Sequence, residues 1–147
     1  MKGRQGFTLV EIMIVVAVVM TLATLAISSV LRARHNANEM AAVASCRTVV
    51  TAAQNFYASS YPHAYPSSML DLVPPISIPP YIDTILASGT KQGYTFNYAL
   101  VDSETFTLNA NPVSAGKTGT RYFFSDESSI IKANPNGPAS VNDPVVQ

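Results

Sequence analysis

Twenty consecutive residues, Ile12 to Leu31, carry no ionisable side chain, and this run constrains the fold more than any other feature. At ~1.5 Å of rise per residue an α-helix over it spans ~30 Å, the hydrocarbon thickness of a bilayer. Only 12% of the 147 residues are charged while 48% are apolar, so the apolar excess is concentrated at one end and an ordinary globular part follows. That length argues for one domain and against a two-domain enzyme. The formal net charge is zero, which argues against a basic nucleic-acid binder, and the apolar content argues against disorder. Cys46 is the single cysteine, so the part beyond the run must fold without an intrachain disulfide.

Lys2 and Arg4 precede the run with no acid among them. The positive-inside tendency then places the amino terminus in the cytoplasm and everything after Arg32 outside. A secretory signal peptide shows the same basic start, but its apolar core is usually ~7–15 residues and ends in a small-x-small cleavage site. Here the run is longer, such a site is poorly represented, and Glu11 sits within the apolar region. A simple uncleaved anchor also leaves Glu11 unexplained, because a carboxylate there costs ~2.5–3.5 kcal/mol on insertion scales.

The order Lys2-Gly3-Arg4-Gln5-Gly6, then Phe7-Thr8-Leu9-Val10-Glu11, then a long apolar helix, closely resembles the class III signal of type IV pilins and their pseudopilin relatives. The resemblance implies cleavage by a prepilin peptidase between Gly6 and Phe7, and N-methylation of the new Phe7 amino group by the same enzyme. It places Glu11 at the fifth mature position, where the family carries an acid that serves assembly. Physics supports that transfer: a buried ammonium and a buried carboxylate on adjacent subunits are each costly alone and tolerable as a pair. Removal of residues 1–6 takes away Lys2 and Arg4, leaving seven basic against nine acidic side chains. Many type IV pilins carry a proline near the twenty-second mature position, where this chain has Ser28; the Ser28-Ser29 pair is a weaker candidate for a local break.

The expected fold class is α+β and pilin-like, a long amino-terminal helix packed on a small antiparallel sheet. The expected organisation is a leader over 1–6, a membrane or filament-core helix over 7–31, an amphipathic helical half over 32–60, a proline-rich loop over 61–88, a sheet over 89–133 and an extended tail over 134–147. No proline or glycine interrupts the chain from Phe7 until Pro62. Val43, Cys46, Val50, Ala53 and Tyr57 recur at three- and four-residue steps, the stripe that packs the head. Six of the ten prolines lie between Tyr61 and Tyr81, which excludes a long helix and leaves room for a turn at Ser67 to Leu72. Tyr94 to Leu100 and Thr105 to Ala110 alternate with period two, as do Arg121 to Phe124 and Ser129 to Lys132, predicting a sheet of roughly three or four strands.

No enzyme constellation is present. His35 and His63 are isolated, and Cys46 on the apolar stripe reads as core. Asp126 and Glu127, with Asn134, Asn136 and Asp143, offer oxygen ligands, and the resemblance implies calcium near the carboxyl end in major pseudopilins. The spacing matches no EF-hand loop, and a solvated turn accounts for Asp126-Glu127, so no cofactor is required and calcium is the one candidate. Three functions follow: a subunit of a type IV pilus-like filament, a pseudopilin of a type II secretion system acting as a periplasmic piston, or a monomeric membrane-anchored binding module. The first two imply as partners the prepilin peptidase, the inner membrane, identical or related subunits, and an assembly platform with its ATPase, with no nucleic acid as primary partner. They place the chain in the bacterial inner membrane before assembly, and in an extracellular pilus or periplasmic pseudopilus after it.

Overall fold

The structure is a computed structural model and describes residues 6–146, the side chain of Leu25 excepted. Backbone contacts divide the chain into two units, one ending at Arg34 and the other beginning at His35. Helix α1, Leu9–Ser59, contributes to both. The elements after it are a 3-10 turn at Met69–Leu72, helix α2 at Thr84–Ala87, and strands β1 (Thr90–Lys91), β2 (Tyr94–Leu100), β3 (Phe106–Pro112), β4 (Tyr122–Asp126) and β5 (Lys132–Asn134).

In the first unit every described side chain is exposed. Two hydroxyls that interrupt its apolar surface are satisfied within the helix: Thr21 Oγ1 donates to the Val18 carbonyl at 2.8 Å and Thr24 Oγ1 to that of Met20 at 2.9 Å. Such back-bonding lets a polar group sit in a segment that water does not reach. The helix runs on through Ser28 and Ser29 without a break.

The second unit is a helix on a sheet. The five strands form an antiparallel meander in chain order. Alternation along them turns Tyr94 and Phe96, then Phe106, Leu108 and Ala110, then Phe123, toward one face, where they meet the helix stripe Ala42, Val43, Cys46, Val49, Val50 and Ala53. The register sets Phe96, Ala110 and Phe123 in one row across the sheet. Thr107, Asn109, Phe124 and Asp126 lie on the opposite face by the same alternation.

Sequence periodicity anticipates β2 to β4, but it places the last strand at Ser129 to Lys132 where the structure has β5 at Lys132–Asn134, and it undercounts the sheet, which has five strands. The additional strand, β1, is only two residues long and joins β2 through Gln92 and Gly93, both at positive φ (47° and 78°), the twist a two-residue hairpin demands. The proline-rich loop is anchored by its interleaved apolar residues: Met69, Leu72, Val73, Ile82 and Leu86 all enter the core. Within it the Asp71 carboxylate accepts from the Ser67 and Ser68 backbone N–H groups at 2.7 and 3.1 Å. The tail is not a loose extension. Val146 N–H donates to Ile131 at 2.8 Å, Ala133 N–H to Pro144 at 2.9 Å, and Ala139 is buried. Asp143 holds the return by accepting from Ser140 N–H at 2.7 Å and from Asn134 Nδ2 at 3.0 Å.

Candidate functional site

Residues Gly6 to Thr8 precede the first helical turn, and Gly6 and Phe7 are exposed, Phe7 at 80%. The peptide bond between them therefore lies in accessible, non-helical chain. Lys2 and Arg4, the basic part of the signal, lie outside the described residues. Thr8 caps the helix: its Oγ1 accepts from Glu11 N–H at 3.2 Å, and Thr8-Leu9-Val10-Glu11 has the spacing of a capping box. Glu11 thus sits in the first turn, where the helix dipole favours an anion by ~0.3–1 kcal/mol. A carboxylate costs ~2.5–3.5 kcal/mol at the centre of a membrane helix and less toward its end, so the dipole offsets only part of the cost wherever lipid surrounds this turn.

Among the head residues predicted from the stripe, Val43, Cys46, Val50 and Ala53 are buried and Tyr57 is half-buried. Tyr57 closes the end of the core by ring contacts with Tyr65 (4.7 Å between centroids) and His63 (5.4 Å). His35 lies elsewhere on the helix, and no group of three His, Cys, Asp or Glu side chains gathers among the described residues. Burial pushes the Cys46 thiol up to about 12, which keeps it protonated at any physiological pH. Asp126 is occupied locally: its Oδ1 accepts from Ser128 N–H at 3.0 Å and from the Ser128 hydroxyl, closing the β4–β5 turn, and Glu127 points to solvent.

Sequence reasoning missed one polar site. Glu39 is 4% exposed and joins helix α1 to the chain before β4. Its Oε1 accepts from Thr120 N–H (2.9 Å), Thr120 Oγ1 (2.8 Å) and Arg121 N–H (3.2 Å), and its Oε2 from Arg121 Nε (2.7 Å). Burial works to raise this carboxyl, but the hydrogen bonds from Thr120 and Arg121 outweigh it and hold the group below its ordinary value. Asn38 Nδ2 adds a bond to Thr118 O at 2.9 Å, and Tyr94 Oη one to Arg121 O at 2.9 Å. The signal was present: Glu39 falls four residues before Val43 on the same stripe, and an acid on an apolar face requires a partner.

A helix whose apolar first part is uncovered by its own chain, followed by a helix-on-sheet unit with a five-stranded antiparallel meander, is the α+β layout of a pilin-like protein. Residues 1–27 match the family described as the prokaryotic N-terminal methylation motif, the signal of type IV pilins and pseudopilins, and this motif marks the chain as a precursor of that pilin-like kind. No curated protein and no solved structure gives a significant match to the chain.

Proposed function

We propose that the chain is a structural subunit of a type IV pilus-like filament, with no catalytic role. Prepilin peptidase hydrolyses the Gly6–Phe7 bond and the freed Phe7 amino group is methylated. Helix α1 holds the mature chain in the inner membrane, amino terminus inward, until an assembly platform and its ATPase transfer it into a fibre of like subunits. The observation that carries this reading is Glu11, a lone carboxylate at the head of a helical segment whose described side chains are all exposed. Such a segment needs lipid or other helices around it, and such a carboxylate needs a cation within that environment. The Phe7 ammonium of an adjacent subunit supplies one, and pairing them sets the stagger between neighbouring helices.

Mass spectrometry of the protein from its host tests the reading. Expected is a mature terminus at methylated Phe7; an intact Met1, or a terminus far from Phe7, overturns it. Deletion then separates the two filament roles: loss of surface fibres supports the pilus, and a secretion defect with no change in surface fibres assigns the chain to a pseudopilus instead.

A further inference from the structure

The described ionisable side chains of the first unit lie at the two ends of its apolar run: Glu11 before it, and Arg32 and Arg34 directly after it. Both arginines are exposed, and among the described residues neither side chain takes part in a hydrogen bond or an ion pair, the ion pairs being Lys91–Asp83 and Arg121–Glu39. The next acid along the chain, Glu39, is engaged by Thr120 and Arg121 within the second unit. Two residues apart on a helix of ~3.6 residues per turn, the arginines stand ~200° apart around the axis, a collar and not a face. Removal of residues 1–6 sharpens the asymmetry. The precursor has Lys2 and Arg4 before the run and Arg32 and Arg34 directly after it, whereas the processed chain keeps only the second pair.

We propose that Arg32 and Arg34 form a headgroup-binding collar that ties the outer end of the membrane-spanning part of helix α1 to anionic phospholipid. Place selects this occupant: ~30 Å of uncharged helix fills the hydrocarbon, so the residues directly after it emerge at the level of the phosphates. A phosphodiester matches the planar guanidinium, whose N–H groups meet two oxygens at once, and the long stem stays against apolar surface while its charge reaches the headgroup. The lipid is anionic because a zwitterionic headgroup also brings an ammonium, and from Ile12 to Asn38 the chain has no acid to receive it. Standing on opposite sides of the helix, the two arginines hold separate lipids. Basic residues are the type that the positive-inside tendency keeps from the outer side, so this pair is carried against that tendency, and headgroup binding accounts for its retention. This inference rests on the membrane part of the filament reading, to which it adds the class of lipid and the residues that hold it.

Quenching of a single tryptophan tests it. The chain has no tryptophan, so Leu31→Trp, an exposed position beside Arg32, reports only the lipids at that boundary and is blind to Lys2 and Arg4 at the other end. The full chain is reconstituted in phosphatidylcholine vesicles, part of whose lipid is replaced by phosphatidylcholine or phosphatidylglycerol brominated near the headgroup. Both leaflets are alike, so the direction of insertion does not matter. Brominated phosphatidylglycerol is expected to bind at the tryptophan about threefold or more better than brominated phosphatidylcholine, a preference that shrinks toward one in about 1 M salt. Arg32→Gln with Arg34→Gln should abolish the preference and leave quenching by brominated phosphatidylcholine unchanged, whereas lysine at both positions should keep most of it. Equal quenching by the two lipids, or a preference that survives the double glutamine variant, overturns the collar and leaves the helix in the bilayer. Equal quenching together with loss of fibre from the double glutamine variant in the host assigns the arginines to contact between subunits instead. Quenching by neither lipid shows that the helix is not in the bilayer, and refutes the membrane part of the filament reading along with the collar.

Discussion

Replacement of Glu39 by alanine is expected to be among the most damaging single changes in the head. The carboxylate is the shared acceptor for four donors, three from the backbone and hydroxyl of Thr120 and the backbone of Arg121 and one from the Arg121 side chain. Losing it strands two backbone N–H groups in a part-buried site, each costing about 1 kcal/mol, while the Thr120 hydroxyl can turn elsewhere. Breaking a fully buried ion pair costs about 3–5 kcal/mol, but the Arg121 side chain is 41% exposed and recovers water, so its share falls to about 1 kcal/mol. The total is about 3 kcal/mol, or roughly 10 °C in Tm for a unit of this size. Arg121→Ala, which leaves the carboxylate three donors, should cost only about 1 kcal/mol. All seven tyrosines lie between Tyr57 and Tyr122, so near-ultraviolet circular dichroism of the detergent-solubilised chain reports melting of the head alone. The folded carboxyl titrates below the ordinary 4.5, so its contribution is complete above about pH 4.5 and is lost as pH falls through the folded value. The gap between the wild type and Glu39→Gln should therefore close on acidification. An Arg121→Ala penalty equal to that of Glu39→Ala, or a gap that does not change with pH, would refute the reasoning.

Glu11→Ala should leave cleavage at Gly6 intact and reduce assembled fibre at least about tenfold, measured as sheared filament against processed membrane protein; normal fibre yield would sink the charge pairing. Gly119→Ala should destabilise the head by about 2–3 kcal/mol in the same melting assay, because a β-carbon there falls 2.1 Å from Tyr94 Oη and displaces the ring that bonds Arg121. Cys46 should resist alkylation at pH 8 in the folded chain and react only on unfolding; labelling at the rate of a free thiol would contradict its burial.

The parts of the fold legible in the sequence are those set by a repeating pattern. The three- and four-residue steps from Val43 to Ala53 name the helix face that the sheet covers, and the alternation in Tyr94 to Leu100 names the strand face that covers it. Strand β1 was not legible because two residues hold no period; its evidence is the hairpin turn at Gln92-Gly93. Helix α2 is one turn long, and its mark is a single capping residue, Asp83, whose carboxylate accepts from Leu86 N–H at 2.8 Å. The tail reads as formless because its pairing partners, Ile131 and Ala133, are non-local and its anchor Asp143 is one acid among several. Glu39 was overlooked for a related reason: its partners lie about eighty residues away, and only its place on an apolar stripe hints at them. The amino-terminal motif was legible because Gly6, Phe7 and Glu11 form a local pattern that precedes any folding, and residues 1–27 match the methylation motif.

The energetics of the first unit give Glu11 a weight that its apolar neighbours cannot share. Fifteen large apolar side chains from Phe7 to Leu31 are more than two-fifths exposed, and fully covering one is worth ~1.5–3 kcal/mol. Even after discounting for the surface already shielded along the helix, that sum is at least comparable to the ~5–15 kcal/mol by which a whole domain is stable, so leaving the segment in water is strongly unfavourable. Lipid and neighbouring helices cover it about equally well, because hydrocarbon tails are as apolar as valine or isoleucine. In the proposed assembly the apolar residues therefore make transfer from membrane to fibre nearly neutral and specify neither its direction nor its register. A charge behaves oppositely: in lipid the Glu11 carboxylate is penalised, and beside a neighbour's ammonium it is not. The residue that is costliest in the membrane is thus the one that favours leaving it, and in the proposed filament the preference is lost with that single carboxylate.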